Sequence, residues 1–114
     1  MRCKRLWGKA VIYGPGETVE APYYVHPRGC MGARQNHIDI ALERDPCGLL
    51  EILSRGGHRV RVKFSGDDMV IEMGRVVGVP CTIIVGDTPK WLRKSTVYVG
   101  RGGSGALYVS PVNG

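Results

Sequence analysis

His58-Arg59-Val60-Arg61-Val62-Lys63-Phe64 alternates cation and apolar residue without a break after its first position. Successive side chains of a strand point to opposite faces, so Arg59, Arg61 and Lys63 share one face and Val60, Val62 and Phe64 the other. The segment reads as a half-buried strand with a basic outer face. Those cations fit two roles equally, a binding face or an outer face that keeps the strand in water.

Just before this strand lies the one clear helix signal. Asp45 can cap, Pro46 suits a first helical position, Leu49, Leu50, Ile52 and Leu53 make an apolar side, and Gly56-Gly57 stops it. Elsewhere 17 Gly and 7 Pro cut the chain into short pieces, the punctuation of barrels and sandwiches. Strands are expected over residues 9–13, 21–26, 37–42, 58–64, 69–77, 82–85, 96–99 and 106–110. With 114 residues there is room for one core. The expected fold class is mostly β: a small bent-sheet barrel over residues 45–114 with one short helix, and an N-terminal β extension, residues 1–44, packed on it. In that extension the strands around Val11 and Tyr24 are too short to stand alone and should join the barrel.

Hydrophobic residues make up 43% and charged residues 23%, so the chain folds. Sixteen Lys+Arg against ten Asp+Glu give a net charge of +6. A modest positive field favours polyanions, above all nucleic acid, although it also serves solubility. No run approaches the roughly 18 apolar residues of a membrane span, and the opening MRCKRLWGKAVIYG has no signal-peptide pattern. No membrane partner is expected, and a cytoplasmic location is. Abundant Val, Arg and Gly suit a thermophilic source.

Two cation clusters surround tryptophans: Arg2, Lys4, Arg5 and Lys9 around Trp7, and Lys90, Arg93 and Lys94 around Trp91. Tryptophan among cations can stack a base while phosphates are neutralised. It can equally lay its ring on the barrel while the cations stay solvated. Tyr23, Tyr24 and Tyr98 fit core or strand-face positions.

Other constellations point away from catalysis, metal and cofactors. Gly100-x-Gly102-x-x-Gly105 follows a strand, but a strand rather than a helix follows it, so no dinucleotide site is expected. His26, Cys30, His37 and Cys47 are spaced by four, seven and ten residues, which fits no recurring zinc module. No metal site is expected from them. Cys30 and Cys47 are then free, or disulfide-bonded if the source is a hyperthermophile, and Cys81 reads as a small buried apolar residue. Asp67 and Asp68 fit a turn. No pairing of Cys or Ser with His stands out as a nucleophile, so the chain is not read as an enzyme.

The stretches GLLEILSRGGHRVRVKFSGDDMVIEMGRVVGV and VYVGRGGSGALYVSP, with Gly74 where a second strand would bend and Arg101-Gly102 in the last turn, resemble an Sm-like domain across about residues 45–111. The resemblance implies a five-stranded barrel, RNA as ligand, and homo-oligomeric rings of six or seven joined through the terminal strands with Arg101 lining a pore. Val79-Pro80-Cys81-Thr82 stands where that family places an Asp and an Asn that hold a base.

The leading expectation is thus a non-catalytic RNA-binding subunit of a ribonucleoprotein. Its site residues would be Arg101, Gly102, Arg93, Lys94, Lys90, Trp91, Arg59, Arg61 and Lys63. The alternatives are a structural or assembly subunit that binds protein through β edges and, third, a small hydrolase or nuclease.

Overall fold

A computed structural model describes residues 3–112 of the 114; Arg2 of the first cation cluster lies outside them. Eight antiparallel strands form a closed barrel: β1 (Arg5–Tyr13), β2 (Thr18–His26), β3 (His37–Ala41), β4 (His58–Ser65), β5 (Asp68–Glu72), β6 (Thr82–Val85), β7 (Thr96–Arg101) and β8 (Ala106–Pro111). Around the wall they run β1-β2-β3-β8-β7-β4-β5-β6, with β6 paired back to β1. The first 44 residues therefore supply three staves of the wall itself. They fill the gap between β6 and β8.

Alternation decides what goes inside. Val60 pairs with Val97, Ile71 with Ile83, and Ile40 with Leu107, and apart from the 8% exposed Val60 these side chains are fully buried. An eight-stranded barrel is just wide enough for side chains to fill. The branched residues at inward positions do so, and each fully buried Leu or Ile contributes about 1.5–3 kcal/mol.

The two mouths differ because odd-numbered strands end at one and even-numbered strands at the other. At the first mouth α1 (Leu49–Leu53) bridges β3 to β4 and buries Leu49 and Leu53 in the core. Asp45 caps it as expected, its carboxylate accepting from the Leu49 and Leu50 amides at 2.9 and 2.8 Å. Pro46 is not the first helical residue; it belongs to the turn before Gly48. At the second mouth a 3₁₀ turn, Lys90–Leu92, inserts Leu92, which is fully buried.

The strand expected over residues 69–77 is shorter. It stops at Glu72, and α2 (Gly74–Val77) follows, closed by Gly78 at φ 74°. Gly74 does not bend a strand but starts a helical turn inside a hairpin that is still held by Met73 N–H donating to Cys81 O at 2.8 Å. Local pattern alone does not distinguish the two, because a Gly-Arg-Val-Val-Gly run can serve as either once glycine relaxes both ends.

All four cysteines are paired. Cys3–Cys30 joins the start of the chain to the β2–β3 loop, and Cys47–Cys81 joins the turn before α1 to the start of β6, with Cα atoms 5.1 and 5.9 Å apart. Cys81 is thus buried, but as half of a disulfide and not as a free apolar residue.

Candidate nucleic-acid interface and a buried histidine-carboxylate cluster

Members of the two tryptophan-centred cation clusters, Arg5 and Trp7 from one and Lys90 and Arg93 from the other, are far apart in sequence yet meet at the second mouth. β1 begins there, and the loop from β6 through Leu92 to β7 passes over it. Arg5, Trp7, Lys90 and Arg93 line one open cleft of about 720 Å³, together with Asp67 and Asp87. Cations outnumber acids in it, so the cleft favours an anion, and the acids restrict where a phosphate can sit.

The rings divide their roles. Trp7 is 42% exposed, with the Arg5 guanidinium 5.2 Å from its ring centre and its indole N–H donating to Asp87 O at 2.9 Å. Trp91 is half-buried and packs on the core. The ring with surface open to a ligand is therefore Trp7, beside the Arg5 guanidinium, and not Trp91, the tryptophan expected in the site from sequence. Arg93 lies over the Phe64 ring at 4.6 Å and donates through Nη2 to Gly66 O at 2.9 Å. It is held in place, whereas Lys90 and Lys94 are exposed.

The cleft wall rests on a chain of close contacts. β1 is irregular between Leu6 and Gly8 where it pairs with β2, and a Cβ at Gly8 would lie 3.0 Å from the Tyr23 ring. Glycine thus lets Tyr23 fill the barrel end. The Tyr23 hydroxyl donates to Gly86 O and lies 3.0 Å from Asp87 O. Burial, then the nearby charges of Asp87 and Asp68, push its phenol well above its ordinary value. Asp87 takes the left-handed conformation at φ 51°, which Asp tolerates. Thr88 ties the same loop back, its amide donating to Asp67 O at 2.9 Å and its hydroxyl to Val85 O at 2.8 Å.

The remaining expected site residues lie elsewhere. Arg59, Arg61 and Lys63 face outward on β4 and line a second depression of about 800 Å³ with Glu72 and Arg75. Lys63 pairs with Glu72 at 3.2 Å. Arg101 is exposed at the far end of β7 and Gly102 follows it, at the helix mouth. Lys94 precedes β7, so about 17 Å of strand rise separates Arg101 from the cleft mouth. β7 pairs with β4 and β8, and β8 with β3 and β7. Neither terminal strand leaves an open edge for the strand-to-strand joining of subunits that the Sm-like resemblance implies.

A cluster that sequence spacing missed sits on the outer wall. His26 on β2 faces His37 on β3, and Asp39 lies two residues on from His37. His37 Nε2 is 3.4 Å and His26 Nδ1 3.8 Å from different oxygens of the Asp39 carboxylate, and Lys4 Nζ is 3.2 Å from the second. The other histidine nitrogens meet backbone carbonyls: His26 Nε2 that of Cys30 at 3.0 Å, His37 Nδ1 that of Gln35 at 3.1 Å. His37 and Asp39 are buried although they point out of the barrel, and His37 stacks on Tyr108 at 4.1 Å. Burial disfavours the Asp39 carboxylate, but His37 and Lys4 outweigh it and hold this carboxyl below its usual range. Cys30 and Cys47, the other candidate ligands, are occupied in disulfides. The sequence signal available for this trio was His-x-Asp on one strand beside a histidine ending its neighbour.

No protein-family model, curated protein or solved structure matches the chain. Among the described residues no helix is long and apolar enough to cross a membrane.

Proposed function

We propose that the protein is a non-catalytic RNA-binding subunit that takes single-stranded RNA in the cleft around Trp7. One observation carries this reading: Arg5, Trp7, Lys90 and Arg93, drawn from both ends of the chain, converge on one open surface with the tryptophan ring exposed. A ring that stacks bases beside cations that neutralise phosphates is how single strands are held without sequence preference, at about 1–3 kcal/mol per stacked base. The basic face Arg59, Arg61 and Lys63 lines a separate depression and is not part of this cleft. The Sm-like resemblance of residues 45–111 points to the same ligand. Arg101, at the other mouth, has no part in this cleft. The assembly reading requires an open β edge, and every strand of the barrel has two neighbours.

Two disulfides with no free cysteine require an oxidising setting or the interior of a hyperthermophile. The cytoplasmic location we propose therefore goes with a thermophilic source.

The test is binding of fluorescent single-stranded RNA across a salt series by wild type, Trp7→Ala, Lys90→Glu and Arg101→Glu. Trp7→Ala is expected to weaken binding at least tenfold, the loss of about 1.4 kcal/mol or more. Lys90→Glu should also flatten the slope of log K against log salt by about 0.7 or more. Arg101→Glu should change little. Unchanged binding in the first two variants, or equal loss in the third, would remove the cleft as the site.

A further inference from the structure

The buried trio on the outer wall has a geometry that hydrogen bonding alone does not account for. A backbone carbonyl can only accept, so His26 Nε2 and His37 Nδ1 must carry the protons they direct at Cys30 O and Gln35 O. In the neutral rings the inner nitrogens, His26 Nδ1 and His37 Nε2, then turn lone pairs toward the Asp39 carboxylate, which offers only lone pairs in return. Lys4, 3.2 Å from Asp39, supplies positive charge to the carboxylate, and the two imidazole lone pairs are what still call for a positive partner.

Protons are one candidate, but the distances do not suit them. A charge-assisted N–H···O⁻ bond closes to about 2.7–2.9 Å, whereas these separations are 3.4 and 3.8 Å. The His37 separation suits a metal ion better, while His26 faces the other carboxylate oxygen and lies farther out. With Zn–N and Zn–O bonds of about 2.0–2.2 Å, adjacent ligand atoms of a tetrahedral site lie about 3.3–3.5 Å apart. The three ligand atoms all fall within 4.8 Å of one another, so the site is completed when His26 moves inward and the Asp39 carboxylate turns toward the ion. The outer carbonyls also do what metal sites need done, fixing each imidazole's tautomer and orientation. Lys4, 45% exposed, supplies the positive charge beside Asp39 and can swing into solvent when an ion replaces it.

We propose that His26 Nδ1, His37 Nε2 and the Asp39 carboxylate form a binding site for one divalent transition-metal ion of the zinc class, with the remaining position open to water. The site is independent of the RNA cleft. Two imidazoles and a carboxylate select a borderline ion such as Zn²⁺ over Mg²⁺ or Ca²⁺, which prefer all-oxygen sites. Bound there, the ion links β2 to β3 beside the Cys3–Cys30 disulfide.

The test uses the intact oxidised chain, stripped with a chelator and titrated with Zn²⁺ by calorimetry and with Mg²⁺ as a control. One Zn²⁺ per chain is expected, with no heat from Mg²⁺. His26→Ala and His37→Ala should each weaken Zn²⁺ binding by at least about 10–100-fold, the cost of losing even an outer-shell partner, and His58→Ala should leave it unchanged. Asp39→Asn risks the fold, so the imidazole ¹⁵N spectrum of the wild-type protein gives an independent reading. Zn²⁺ should shift His26 Nδ1 and His37 Nε2 and leave His58 where it was. Absence of stoichiometric binding, binding retained when both His26 and His37 are replaced, or a response at His58 alone would each overturn the site.

Discussion

Tyr23 and Trp7 direct their polar atoms at the same carbonyl oxygen, that of Asp87, at 3.0 and 2.9 Å. One ring is fully buried inside the barrel and the other is 42% exposed on its surface. Core packing is thereby tied to the placement of the exposed indole through a single backbone group.

Replacing Tyr23 with Phe keeps the packing and removes the hydroxyl, leaving the carbonyls of Gly86 and Asp87 short of a donor. A loss of about 1–3 kcal/mol is expected in urea denaturation. RNA affinity should fall as well, although Tyr23 cannot touch the ligand, because the loop that holds Trp7 loosens. Full affinity in a destabilised Tyr23→Phe protein would show that the loop is held without it.

Alkali should expose the same residue. The Tyr23 phenol is raised above its ordinary value of 10.0 in the folded protein, so the unfolded chain releases its proton first. The stability associated with the neutral phenol is fully present below pH 10 and is lost as pH rises from there toward the folded value. Melting temperature should therefore fall above pH 10 in wild type and fall less steeply in Tyr23→Phe.

The Cys47–Cys81 bond closes a loop with a sequence separation of 34. Loop-closure entropy assigns it about 3–4 kcal/mol. The double variant Cys47→Ala with Cys81→Ala should lose stability of that order in urea unfolding. It should lose little RNA affinity, since these residues lie at the helix mouth and the cleft at the other. A larger fall in affinity than in stability would place part of the RNA surface near α1.

With both edges of β7 and β8 filled inside the chain, nuclease-treated protein should run in sedimentation at the 12.5 kDa of one chain. A hexamer or heptamer would require an interface built from side-chain surfaces and not from strand edges.

Much of this fold was legible in the sequence because alternation and punctuation are local. Arg59 to Phe64 showed a two-faced strand, although only Val60 is buried and Phe64, expected on the same inner face, is 40% exposed beneath Arg93; Asp45 showed a helix cap, and the glycine-rich turns the separation of the strands. Gly74 misled because a strand bend and a helix start draw on the same glycine. The candidate site was legible only as separate parts. Both tryptophan clusters stood out, but not that Trp7 is exposed and Trp91 half-buried, nor that Arg101 belongs to the opposite mouth. His26, His37 and Asp39 were hidden because their meeting depends on the β2–β3 register, where a slip of one residue would turn His37 and Asp39 into the core.

Residue type and short-range period are enough to read the class of fold, the positions of most strands, the basic character and the presence of aromatic rings among cations. Which strands close the barrel, which cysteines pair and which charges share a cleft emerge with the folded chain. Those relations join residues distant in the chain, such as Cys3 with Cys30 and Arg5 with Arg93. They are fixed by strand order and register around a closed wall, to which short-range sequence pattern is blind.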